Sequence, residues 1–446
     1  MMFTKHKRGF LNRVAHTALK PIKFFTKSTL MSRVKNFVAH RAYTMLALNV
    51  RKPYGILFVD NFEPSGLNAG FRFQEIQWFL TKYRRSALFR FSGITKSSSD
   101  YISYKVNQKW PINTCLWDHI LHWRAAIATG GICFRKVVLQ RERVSAKCAY
   151  IHFIANAFLA RDYLEKNNIP FVFILFPGGG LRLNDQFSDM MLKMVFSSPM
   201  FRGCFITQSV VYDYVISKNL CPKEKLYFSY GGGFLQISED TVLQKMRYGI
   251  DKDTIDICFV AFRYMEQGLD KGFDIALKAL CQIIREFPHV HFHIVGTNRL
   301  SDFPEALYYE CKRNIHEHGV LHKDELVELY AKMDIALSPN RPNVLANGAF
   351  DGAPLGVEAS YCGVMLMVSN ELNEKFPYIP EKDLVVVRPN VTCVVSALRR
   401  LLLSPERINE IGLNGQHKTR RVFSGGWQRK IRMAFIRKYL GVLPHD

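Results

Sequence analysis

Pro354-Leu355-Gly356-Val357-Glu358-Ala359 follows an apolar run and a turn and opens a stretch that reads as a helix. The junction sets Glu358 beside a helix N-terminus, where backbone amides and the helix dipole also favour an anion. Upstream stand Arg263 and the pair Lys271-Gly272. Each cation sits just after an apolar run or just before a helical one, so folding can bring both to the same edge of a sheet.

Working outward, strand and helix patterns alternate. Ile257 to Phe262, Val290 to Val295, Ile335 to Pro339 and Val364 to Val368 are short apolar runs that end in turn residues. Between them Phe273 to Arg285, Lys323 to Ala331 and Gly356 to Cys362 carry helical spacing. The same grammar appears earlier, with strands at Tyr54 to Asp60, Ala149 to Phe153 and Pro170 to Phe176, and helices at Phe71 to Tyr83 and through Leu164. Such alternation predicts α/β units on parallel sheets. With 446 residues the chain exceeds one ordinary core. We therefore expect a basic N-terminal arm over residues 1–52, a first Rossmann-like domain over 53–240, a second over 241–420, and a helical tail over 421–446 that packs back on the first domain.

Charge is strongly one-sided, with a formal net charge of +23. No acidic residue precedes Asp60, whereas basic residues recur from Lys5 to Lys52 among Phe10, Leu11, Val14, Phe24, Phe25, Leu30 and Phe37. This pattern suits an arm on an anionic membrane surface, each near-surface cation contributing about 1 kcal/mol. Its apolar runs fall short of the roughly 20 residues that span a bilayer. A cytoplasmic protein, peripheral on the inner face of the membrane, is expected. No zinc-finger, helix-turn-helix or aromatic-basic RNA signature accompanies the charge, so nucleic acid is not an expected partner. The ten cysteines are scattered without a C-x-x-C pair and read as reduced thiols.

In order along the second half come Arg263, Lys271-Gly272, Val295-Gly296, Asp334, Ser338-Pro339, Asp351-Gly352-Ala353-Pro354-Leu355, Glu358-Ala359 and Cys362-Gly363. This ordered set resembles the nucleotide-binding domain of the retaining GT-B glycosyltransferases, the family of bacterial envelope-polysaccharide mannosyl-, glucosyl- and N-acetylglucosaminyl-transferases. The likeness extends more faintly from Tyr54 to the end. It departs from the family pattern in having six residues rather than seven between the two acids, and Asp351 in place of the first glutamate. Pro177-Gly178-Gly179 stands where many relatives have His-Gly.

The resemblance implies two Rossmann-like domains facing across a cleft, and transfer of a sugar from a nucleotide diphosphate donor to a glycan or lipid-linked glycan acceptor. It implies that Arg263 and Lys271 meet the diphosphate, that Glu358 binds the ribose hydroxyls, and that Asp351 contacts the transferred sugar. His152 is the expected strand-end histidine of the catalytic cleft, and Gly66, Gly70 and Gly356 bring backbone close to the donor. Gly272 would let the chain pass close to the ligand. Front-face attack assisted by the leaving phosphate needs no separate protein base. Cationic side chains can replace a metal, so no metal or cofactor is expected. His289, His291 and His293 alternate along a strand, and Asp251-Lys252-Asp253 lies in the expected linker. A polar-faced strand and a solvated turn account for these better than metal sites do. The alternatives are a GT-B sugar phosphorylase, a sugar-nucleotide epimerase, or a catalytically impaired nucleotide- or carbohydrate-binding protein.

Overall fold

The computed structural model describes residues 54–60, 70–83, 86–90, 137–139, 145–231, 243–342 and 356–441. The N-terminal arm, Gly66, Asp351 and much of the expected linker lie outside the described residues.

Two all-parallel sheets organise the chain. The first domain contains β1 (Tyr54–Val59), α1 (Gly70–Lys82), β2 (Ser86–Arg90), β3 (Val137–Leu139), β4 (Ala146–His152) and α2 (Ile154–Lys166). It continues with β5 (Phe171–Leu175), α3 (Gln186–Phe196), β6 (Phe201–Ile206), α4 (Ser209–Ser217) and β7 (Leu226–Phe228). Its strand order is β3-β2-β1-β4-β5-β6-β7. The second domain contains β8 (Ile255–Ala261), α5 (Phe273–Glu286), β9 (Val290–Gly296), β10 (Ile315–Gly319), α6 (Lys323–Lys332) and β11 (Ile335–Ser338). After them come α7 (Val357–Tyr361), β12 (Met365–Val368), β13 (Val385–Val386), α8 (Val391–Leu402), α9 (Pro405–Val422) and α10 (Gly425–Leu440). The second order is β10-β9-β8-β11-β12-β13. Both orders reverse beside their first strand, between β1 and β4 and between β8 and β11. Ligands of doubly wound sheets bind at such switch points, outside the carboxyl ends of the strands. The expected α/β class with two Rossmann-like sheets is what the chain adopts.

The central strands of the first sheet are apolar on both faces because helices cover both. On one face of the first sheet, Leu57, Ile151, Phe173 and Ile206 pack with residues of α2 and α3 such as Phe158 and Leu192. On the other, Phe58, Tyr150, Ile174 and Phe205 pack with Ile76 and Phe79 of α1 and with Ile431, Phe435 and Ile436 of α10. The last helix thus leaves the second domain and closes the core of the first. Ser424 caps it, its hydroxyl accepting the Trp427 amide at 3.2 Å. Buried residues at Gln428, Ile431, Arg432, Phe435 and Ile436 follow one helical face.

A second contact joins the domains. Glu374, in the loop after β12, accepts hydrogen bonds from the Ser209 and Val210 amides at 2.7 and 2.9 Å. These are the first amides of α4, where a carboxylate satisfies otherwise unpaired donors. The Lys375 amide donates to the Ser209 hydroxyl at 2.8 Å.

At the far end of the second sheet, Lys252 sits between the carboxylates of Asp256 and Asp334. It ties the starts of β8 and β11 together, a structural use that the expected solvated turn did not include. His291 and His293 pair across to His316 and His318 of β10 at 3.0 and 2.9 Å. His289 stacks on Tyr248. No group of three or more side chains arranged to hold a metal ion occurs among the described residues.

Candidate functional site

Asp60 follows β1 and His152 ends β4, so both stand at the switch point of the first sheet. Strand alternation places Phe58 and Asp60, and Tyr150 and His152, on the face covered by α1 and α10. His152 therefore points inward. It is fully buried, as are Asp60, Glu75 and Arg432. Its Nδ1 lies 3.0 Å from an Asp60 carboxylate oxygen and its Nε2 lies 3.2 Å from one of Glu75. Glu75 also accepts from Arg432 Nε at 3.0 Å and from the Tyr150 hydroxyl. Asp60 accepts from Arg72 Nη1 at 2.7 Å. The result is a continuous chain of Arg72, Asp60, His152, Glu75 and Arg432.

Two ionised carboxylates only accept hydrogen bonds, so both ring nitrogens of His152 must donate, which requires the imidazolium. Burial opposes that charge, but Glu75 and Asp60 outweigh it and raise the pKa above 6.5. Burial likewise opposes the Glu75 carboxylate, but Arg432 and His152 outweigh it and lower its pKa below 4.5. A raised histidine pKa contributes stability that is complete below about 6.5 and is lost as pH rises through the folded value. A lowered carboxylate pKa contributes stability that is lost as pH falls through its folded value. We expect His152 to show the nitrogen chemical shifts of a doubly protonated ring at pH 7. A neutral-tautomer signature at pH 6 in histidine-labelled protein would contradict the assignment. The expected catalytic role of His152 is not supported by this geometry, because both nitrogens are engaged by buried carboxylates. The ring braces the end of β4 instead.

Across the cleft, β8 ends at Ala261 and the chain turns through Arg263 and Tyr264. Arg263 donates to the Asp302 carboxylate, and its amide donates to the Thr297 hydroxyl at 2.9 Å. Its guanidinium remains partly exposed. Lys271 closes a short 3-10 segment, Glu266–Lys271, ahead of α5. Arg341 stitches that segment down, its amide donating to Asp270 O at 3.1 Å, its Nε to Leu269 O at 3.0 Å and its Nη2 to Asp274 at 2.7 Å. Lys271 is 8% exposed, with Nζ 5.3 Å from the centroid of the Tyr264 ring. Burial lowers its pKa while Asp270 opposes the shift. Tyr264 itself is 66% exposed. Its phenol pKa is raised by burial of the hydroxyl's surroundings and by Asp270, and Arg72 of the first domain opposes that rise. Arg72 therefore acts on Tyr264 from the other side of the cleft.

Gly272 has φ 70°, and a Cβ there would collide with the carbonyl of Pro339. The close approach expected at this glycine is thus to the chain's own backbone. Gly356 has φ 85° as the residue before α7, a conformation that few side chains tolerate. Glu358 is the second residue of α7 and is half-buried. It adds to burial in raising the pKa of Tyr330 and of Cys362, the latter to about 12. Gly70 is the first residue of α1, and Gly66 lies outside the described residues. Asp60, Arg72, Glu75, Tyr264 and Arg432 were not singled out from the sequence. Only Asp60 carried a local signal, as the first acid in the chain at the end of an apolar strand.

Residues 277–428 match the family model described as glycosyl transferase-like. A GDP-mannose-dependent monoacylated alpha-(1-6)-phosphatidylinositol monomannoside mannosyltransferase of Corynebacterium glutamicum is 28% identical over 149 residues. That match covers 33% of this chain and 38% of the relative. Sucrose-phosphate synthase from Thermosynechococcus elongatus superimposes with a TM-score of 0.56 at 13% identity, over 87% of this chain and 100% of the other. Anabaena HepE in complex with UDP gives 0.58 at 14% identity, over 85% and 99%. At these identities the two structures show the fold alone, and the family-model match lies largely in the second domain. The chain thus has the two-sheet fold of these solved structures and carries a glycosyl transferase-like match over residues 277–428.

Proposed function

We propose that the protein is a retaining glycosyltransferase moving a hexosyl or N-acetylhexosaminyl unit from a nucleotide diphosphate to a glycan or lipid-linked glycan. The observation that carries this reading is the cationic corner at the end of β8. Arg263 and a largely buried Lys271 stand at the switch point of the domain that matches the transferase family. Sugar transfer leaves negative charge on the departing diphosphate, and fixed cations stabilise charge that develops in the transition state. Arg263 offers a planar fork for phosphate and Lys271 a compact cation. Glu358 is the ribose ligand and Asp351 the sugar contact in this reading, and no metal takes part.

The acceptor and location are part of the same proposal. The named Corynebacterium relative acts on a phosphatidylinositol mannoside, which supports a lipid-linked acceptor in envelope glycan synthesis. No described helix is long and apolar enough to cross a membrane. Between Glu410 and Asp446 the sequence holds eight Lys and Arg residues and no acid. Trp427, Lys430, Ala434, Arg437 and Lys438 form the exposed face of α10. An anionic inner membrane surface fits that face and the basic arm.

The test is release of nucleoside diphosphate from UDP-, GDP-, ADP- and TDP-sugars, with and without EDTA. Release from one donor that EDTA leaves unchanged is expected. Conversion of donor to an epimer, or phosphate-dependent cleavage of a glycan, would replace this reading with one of the alternatives. Salt-reversible retention on phosphatidylglycerol vesicles is expected, and its absence would remove the membrane part.

A further inference from the structure

We propose that His291, His293, His316 and His318 form a proton-sensitive clasp that holds β10 on the second sheet and lets it go as the medium turns acid. The clasp does not depend on the reaction proposed above.

Strand β10 is an edge strand, and β9 is its one neighbour in the described sheet. Its register slips between Glu317 and Gly319, so the backbone ladder is interrupted beside His318 and side-chain bonds carry more of the attachment. Alternation sets His291 and His293 on the face of β9 opposite Phe292 and Ile294, which enter the apolar core. Across the strands, His291 Nδ1 lies 3.0 Å from His316 Nε2, and His293 Nδ1 lies 2.9 Å from His318 Nε2. In the order His291, His316, His293, His318 the ring centroids follow one another at 5.2, 4.7 and 5.2 Å. Four of the chain's 14 histidines thus stand in one file.

Proton counting makes the file sensitive to acid. A hydrogen bond between two imidazole nitrogens needs one proton, and a doubly protonated ring can only donate. Asp256 settles one tautomer, because its carboxylate lies 2.9 Å from His293 Nε2. Burial raises the Asp256 pKa, but hydrogen bonds from His293 and Lys252 outweigh it and hold the group well below the usual carboxylate range. His293 Nε2 therefore donates to Asp256, and in the neutral ring Nδ1 accepts from His318 Nε2. One added proton per pair keeps the bond, since one ring then donates while the other accepts. A second proton leaves two N–H groups facing each other and two cations in contact.

Little counter-charge is at hand. Facing the file are Asp256 on β8 and Lys252 ahead of it, with Asp334 of β11 and Lys245 behind Lys252. Glu317 turns to the other face of β10 and accepts the Leu300 amide at 2.9 Å, and His289 stands aside, stacked on Tyr248. Asp256 thus serves the file while it is shared with Lys252. Burial lowers the pKa of His316, and His293, His291 and His318 add to that. Burial and His293 lower that of His318. Burial also lowers that of His291, where Asp256 opposes the shift and His293 and Lys252 add to it. A lowered histidine pKa contributes stability that is present above the unfolded value near 6.5 and is lost as pH falls through the folded one. His152 in the first domain has the opposite shift, so its contribution is complete in that range.

Hydrogen exchange on the full chain at pH 7.5, 6.5 and 5.0, read as protection factors, tests the clasp. We expect protection of Ile315–Gly319 to fall about 10-fold or more between pH 6.5 and 5.0, as for linked proton uptake, while Met365–Val368 of the same sheet stays within about twofold. In His316→Gln combined with His318→Gln, each amide nitrogen replaces Nε2 as a donor that does not titrate. That double variant should keep its protection at pH 7.5 and show an acid fall below about threefold. His318→Gln alone, with a fall shallower than wild type, serves if the double variant does not fold. Acid-independent protection in the wild type, an equal fall at Met365–Val368, or an undiminished fall in the variants would overturn the proposal. Protection that zinc raises at pH 7.5 and EDTA reverses would make the file a metal site and overturn it likewise.

Discussion

Arg432→Met lowers the stability of the first domain by about 3–5 kcal/mol, the usual cost of removing one partner from a buried ion pair. The guanidinium is fully buried, with Nε on Glu75 and its carbon 4.0 Å from the centroid of Phe205. Methionine replaces much of the apolar volume, so the loss reports the carboxylate losing one of its two cationic partners and keeping only His152. Glu75→Gln in the same background removes that carboxylate charge, and the double variant should recover part of the loss. Denaturant unfolding of the four proteins in a double-mutant cycle measures this coupling. Additive losses would show that Arg432 acts through packing alone. Because Arg432 belongs to α10, the same experiment asks whether the last helix is an integral part of the first domain.

Lys271→Ala leaves a folded protein whose kcat/KM for the preferred donor falls on the order of 100- to 1,000-fold, the range for removing one preorganised group that stabilises developing negative charge. The loss should exceed the loss in ground-state nucleoside diphosphate affinity, because the charge on the leaving group grows toward the transition state. Comparing donor turnover with calorimetric affinity separates the two. Unchanged kcat/KM in a variant with wild-type unfolding behaviour would remove Lys271 from the site.

The architecture was legible because its signals are local. Ile257 to Phe262 and Tyr54 to Asp60 announced buried strands by continuous apolar runs, and Phe273 to Arg285 announced a helix by its period; the structure moves these bounds by only a residue or two. Lys271 was legible because it stands just ahead of that helix. The buried charge chain was not, since Glu75 and Arg432 are separated by 357 positions and neither has an unusual neighbour in sequence. His152 shows the same limit from the other side. Its place at a strand end was readable, but its direction depends on which helices cover that face, and one of them arrives from the C-terminus. Gly272 was read as passing close to the ligand, whereas its close neighbour in the fold is the Pro339 carbonyl, a loop contact without a pattern in the chain.

Among the described residues, two junctions between the lobes differ in kind. Helix α10 is welded to the first lobe by aromatic packing and a buried ion pair, whereas Glu374 holds α4 through two amide hydrogen bonds. Water can take over those amides and that carboxylate once they part, so parting them costs a net of about 1.5–3 kcal/mol for each bond to a charged group, far less than extracting α10. Among the described contacts, a force that parts the lobes therefore meets its weaker point at Glu374, while α10 stays with the first lobe.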